Sequence, residues 1–127
     1  MSINRMNNLI YIIKMKRIEE NFELLNLIST CKKNKRDILI KKGKKEFILS
    51  ICECVLNTLN GNVNFNKTDL EKLQKYKSTL RNLIKKSNIK KKKDILIQKG
   101  GFLQILLPTI ISGVVSLIQS LVSKKND

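Results

Sequence analysis

From Phe102 to Ser123 the sequence holds no charged residue, and this one segment limits the fold more than any other feature. A run of that length, rich in Ile, Leu and Val, must leave water, either by entering a bilayer or by being covered with protein. Phe102 to Val122 would measure about 31 Å as a helix, against a hydrocarbon core of about 30 Å. Pro108 interrupts it, and the piece from Thr109 to Val122 would reach only about 21 Å. Within it Thr109, Ser112, Gly113, Ser116, Ser120 and Ser123 form one helical stripe of small residues. In lipid such a stripe lets helices approach closely. In water the wide aliphatic face would need a cover from the body or from another copy. The expectation is membrane engagement or helix packing through Phe102, Leu103, Leu106, Pro108, Ile111, Ser112, Gly113, Ser116 and Ser120, with burial in the body or in an oligomer as the alternative. Gly100-Gly101 divides this hydrophobic tail, residues 101–127, from a basic helical domain, residues 1–100.

The charge of that domain is concentrated. Residues 1–30 hold four basic and three acidic groups, residues 31–101 twenty and six, and residues 102–127 two and one, giving +1, +14 and +1. A block of that density repels itself unless a polyanion neutralises it, so nucleic acid or an anionic membrane surface is the natural partner. Lysine makes flexible point contacts to phosphate, and the chain has only four arginines for bidentate reading of bases. Binding is therefore expected to be nonspecific, to DNA in the first place, and strongly salt-dependent. The residues assigned to it are Lys32, Lys33, Lys35, Arg36, Lys41, Lys42, Lys44, Lys45, Lys72, Lys75, Arg81, Lys90, Lys91, Lys92 and Lys93.

The spacing of apolar residues predicts an all-α fold, a small bundle of about four helices with a hydrophobic C-terminal helix. One helix is expected over Met6–Ser29 and a second from Lys44 to a stop at Asn60-Gly61-Asn62. Thr68-Asp69-Leu70-Glu71 reads as a capping box opening a third helix, with Leu70, Leu73, Tyr76, Leu80, Leu83 and Ile84 on one face. The opposite face carries Lys72, Lys75, Lys77, Arg81, Lys85 and Lys86. Lys35–Gly43, KRDILIKKG, recurs as Lys92–Gly100, KKDILIQKG, with seven of nine positions identical, and reads as a basic helix-starting turn closed by glycine.

No catalytic constellation is present. With no histidine there is no Ser/His/Asp arrangement, the ten carboxylates are scattered, and no phosphate-binding glycine loop occurs, so the expectation is a protein without enzymatic activity or cofactor. Cys31, Cys52 and Cys54 make no C-x-x-C pair, so neither a structural metal nor a disulfide framework is expected, and the compartment reads as reducing. On a helix Cys52 and Cys54 point about 200° apart, which puts at most one in the core. The N-terminal apolar residues are interrupted by Asn4, Arg5, Asn7, Asn8 and Lys14, and no secretory signal is read.

The segments ICECVLNTLNGNV, Ile51–Val63, LQKYKSTLRNL, Leu73–Leu83, and KKKKDILIQKGGFLQILLP, Lys90–Pro108, resemble the small basic proteins with a hydrophobic C-terminus of Maverick/Polinton-type elements and adintoviruses. The likeness runs from Leu24 to about Leu117 and is similar in character to the adenovirus core protein X precursor. It implies a virion-associated protein working with nucleic acid and capsid proteins, located in the virion and in the host nucleus or at a host membrane. It also implies processing at Gly100-Gly101 by an adenovirus-type protease, although Gln98 stands where that cleavage pattern has an aliphatic residue. The combined expectation is a basic body that binds nucleic acid and a tail that engages membrane. The alternatives are a membrane-active protein that binds anionic lipid without a nucleic-acid role, or a structural helical homo-oligomer.

Overall fold

The computed structural model of the chain describes residues 16–98 and 101–126, with the side chains of 101–105 and 121–126 excepted. Among the described residues there is no strand, so the all-α expectation holds. The expected number of helices does not. After helical residues 16–20 come α1 (Phe22–Thr30), α2 (Lys33–Lys42), α3 (Lys45–Leu59), α4 (Lys67–Lys75), α5 (Lys77–Ile84), α6 (Ile89–Gln98) and α7 (Gly101–Asn126), making eight helical segments among the described residues instead of about four.

The extra segments come from local breaks and from the repeated phrase. Asn21 leaves the helical region at φ −108°, ψ 13°, and its side chain donates to the Arg17 carbonyl at 2.8 Å. This ends the run that periodicity extends from Met6; the part before residue 16 lies outside the described residues. Tyr76, at φ −104°, ψ 9°, breaks the predicted third helix into α4 and α5. The pivot lets α5 bury Leu80 and Leu83 against α3 while α4 leans on α7, and Leu70, expected on the buried face, is exposed. Each copy of the repeated phrase contributes a helix, α2 and α6.

Side-chain caps differ from the predicted one in identity as well as place. Asn66, not Thr68, caps α4, accepting the Asp69 amide at 2.8 Å, and Asn88 does the same for Lys91 at 2.9 Å in α6. Asparagine is among the best acceptors for the orphan amide three residues on, and it takes that amide two residues before threonine could. The predicted stop after α3 is present as a Schellman closure. The Gly61 amide donates to Thr58 at 3.2 Å, the Asn62 amide to Asn57 at 3.0 Å, and Gly61 has φ +75°, a conformation that costs little only without a Cβ.

At the centre lies α3, which packs against α1, α5, α6 and α7. Because neighbours cover it on opposing sides, Cys52 and Cys54 are both buried, at 7% and 0% exposure, and the expectation that at most one lies in the core fails. Tail residues Leu106, Leu107, Ile110, Ile111 and Val114 bury one stripe of α7 in this same core, beside Leu25 and Ile28 of α1. Among the described residues no helix is long and apolar enough to cross a membrane. The small-residue stripe also has a local explanation. The connection after α3 lies over it, and a Cβ on Gly113 would collide with Val63, so glycine is what admits the 62–66 loop against α7.

Candidate nucleic-acid interface

The two copies of the repeated phrase fold as neighbouring helices, α2 against α6. They do not bury matching residues. The first copy turns Arg36 and Ile40 inward, while the second turns Lys92 and Leu96 inward, one position earlier in the phrase in both cases. The Lys93 ammonium donates to the Lys41 carbonyl at 2.9 Å, which fixes the first turn of α6 beside the last turn of α2. Two lysine runs that are remote in sequence thus converge: Lys41, Lys90 and Lys91 are exposed there, and Lys93 is half-buried between the helices.

Lys32, Lys33 and Lys35 are exposed at the opposite end of α2, where Lys33 pairs with Asp37 at 2.7 Å. Lys42, Lys44 and Lys45 are exposed around the turn into α3. Two members of the sequence-based set are withdrawn from the surface. Arg36 is 1% exposed and Lys92 5% exposed, so neither can meet a phosphate backbone. Lys92 instead donates to the carbonyls of Leu83 and Lys85, at 2.7 and 2.8 Å, closing the C-terminus of α5. Lys72 and Lys75 are exposed on α4, whose main contacts are with α5 and α7, and Lys75 lies 5.7 Å from the Tyr76 ring centre. They do not join the α2/α6 surface.

On its other side α6 packs against α5, and between them runs a groove of about 740 Å³ whose charged lining is entirely basic: Lys77, Arg81 and Lys85. These recur every four residues, about 6 Å apart along the axis. Lys77 and Lys85 lie outside the two dense lysine runs, and the i, i+4, i+8 spacing is the signal that identifies them. Helices α2, α6 and α5 therefore carry cations that are exposed apart from the half-buried Lys77 and Lys93 and the buried Arg36 and Lys92, and Asp37 and Asp94 are the carboxylates among them.

The placement of these lysines opposes helix stability. Neither α2 nor α6 has an acidic residue in its first turn, where each has lysines. A cation at the positive end of a helix forgoes the roughly 0.3–1 kcal/mol that an acidic residue would gain there. An approaching polyanion relieves that repulsion.

The cysteines offer no competing chemistry. Burial is the main cause that pushes the Cys52 thiol up to about 11, with Lys92 acting against it, and burial with the neighbouring Glu53 pushes Cys54 up to about 12. Both are protonated at neutral pH, and no group of carboxylates and cysteines able to hold a metal occurs among the described residues. Of the predicted tail residues, Leu106 and Ile111 are buried, Ser112, Ser116 and Ser120 exposed, and Pro108 and Gly113 intermediate. For Gly101, Phe102 and Leu103 only the helical backbone is described, and Gly100 lies outside the described residues. No family model, no curated protein and no solved structure matches the chain.

Proposed function

We propose that this is a non-enzymatic protein that binds nucleic acid nonspecifically through the lysine surface of α2, α6 and α5. The observation that carries the reading is the Lys93–Lys41 contact, which gathers two distant lysine runs at one place while their neighbours stay exposed. The resemblance to the basic proteins of Maverick/Polinton-type elements and adintoviruses supports placing this activity in a virion, where a chain of net charge +16 would neutralise packaged DNA.

The tail belongs to the body in this reading. Burying each of Leu106, Leu107, Ile110, Ile111 and Val114 stabilises by about 1.5–3 kcal/mol, and the sum is comparable with the whole 5–15 kcal/mol stability of an ordinary domain. Moving α7 into a bilayer would therefore dismantle the body. Liposome leakage by the folded protein at neutral pH would contradict this assignment.

Fluorescence anisotropy with a short DNA duplex tests the main proposal. Affinity should fall about a thousandfold or more between 50 and 200 mM salt. Lys90→Glu with Lys91→Glu should weaken binding and flatten the salt slope by about one unit per lysine. Lys72→Glu with Lys75→Glu should have a much smaller effect. Salt-independent binding, or equal losses in the two double variants, would refute the proposed surface.

A further inference from the structure

An apolar groove of about 440 Å³ lies where α1, α2 and α3 meet, with Leu24, Ile38, Leu39 and Phe47 in its lining. Leu24 and Ile38 are 41% and 54% exposed, two of the three large apolar side chains left open among the described residues. The second copy of the repeated phrase shows what this site lacks. Ile95, the counterpart of Ile38, is half-buried on the side of α6 that α5 covers, whereas no helix among the described residues covers Ile38 in that way.

The charge around the groove selects the occupant. Lys42 and Lys44 line it without an ion-pair partner among the described residues, while the one lining carboxylate, Glu46, is held by the Arg17 guanidinium at 2.8 Å. The rim is thus net positive over an apolar floor. Nucleic acid has no use for that floor, and a second copy would bring another +16 of like charge. Residues 1–15 contain apolar side chains but no carboxylate. We infer that the groove receives an acidic amphipathic helix of a partner protein, whose apolar stripe covers Ile38 and Leu24 and whose carboxylates meet Lys42 and Lys44. Lys42 lies at the edge of the α2 lysine surface, but the apolar floor of Leu24 and Ile38 does not belong to it, so a change confined to that floor separates the two proposals.

The probe is a labelled helical peptide of about 18 residues with leucine at i, i+3, i+4 and i+7 and glutamate elsewhere, titrated with the full chain. It should bind, and Ile38→Ser should weaken it about tenfold while leaving DNA affinity and the melting temperature unchanged. Lys42→Glu with Lys44→Glu should weaken the peptide further. A peptide with serine replacing every leucine should bind much more weakly, and with an affinity that Ile38→Ser does not change. The inference is overturned if the leucine peptide fails to bind, if the serine peptide binds as tightly, or if Ile38→Ser leaves leucine-peptide affinity intact. It is equally overturned if sedimentation shows a dimer that Ile38→Ser dissociates, which would assign the groove to a second copy.

Discussion

Lys92→Met should destabilise the protein by about 2–4 kcal/mol, although lysine-to-methionine changes at exposed positions are worth only a few tenths. The magnitude follows from the two bonds the ammonium makes, 2.7 Å to the Leu83 carbonyl and 2.8 Å to the Lys85 carbonyl. Bonds of this charge-assisted kind contribute about 1.5–3 kcal/mol each, and a cation at a partly buried helix C-terminus adds up to about 2 kcal/mol. Against that stands relief of the buried ammonium's desolvation, while methionine still fills the path of the aliphatic stem. Because α5 reaches α3 through Leu80 and Leu83, loosening its C-terminus would be felt in the core. Urea unfolding gives the measurement, with Lys90→Met as the exposed control, expected within about 0.5 kcal/mol of wild type. DNA affinity should order the two variants the other way, falling for Lys90→Met and holding for folded Lys92→Met. If Lys92→Met were as stable as the control and lost DNA affinity equally, the assignment of Lys92 to the interior would be refuted.

Asn66→Ala and Asn88→Ala should each cost about 1 kcal/mol in the same assay, whereas Thr68→Ala should cost far less because Thr68 caps nothing. Gly113→Ala should cost about 1–3 kcal/mol through collision with Val63, and Val63→Ala should recover part of the loss in the double variant. In native protein a thiol reagent should modify half-buried Cys31 first, and Cys52 and Cys54 only after unfolding. With the Cys52 and Cys54 thiols raised from 9.0 to about 11 and about 12, their stability contribution is complete below pH 9.0 and is lost as pH climbs toward those values, which alkaline urea titration would show.

Helix type and the α3 stop were legible because periodicity and glycine act locally: Asn60-Gly61-Asn62 ends α3 as the sequence says. The tail's apolar stripe was legible as well, but whether lipid or the body covers it was not, because either would bury the same residues. The break at Tyr76 was not, since tyrosine is an unremarkable helix residue and the pivot answers to α3 and α7 from outside. The burial of Cys54 beside Cys52 was hidden for a related reason, because amphipathic reasoning assumes one wet face and α3 has little of one. Among the lysines, composition located the basic block but could not separate Lys92, turned inward, from Lys90 and Lys91 one or two residues away. That choice is made by the rotation of α6 about its axis, which seven shared residues did not hold constant between the two copies.

The packing of α7 against α1 joins the two ends of the described chain, and this sets an order for assembly. Helices α2 and α3, or α5 and α6, are neighbours in sequence and can form and meet early. The interior cannot close until α7 arrives, so Leu25 and Ile28 stay uncovered through most of synthesis while the lysine-rich helices are already made. Long-range closure of this kind slows folding and lengthens the interval in which aliphatic surface is open to other chains. The like charges carried by the early helices act as a safeguard in that interval, holding nascent copies apart until the last helix docks.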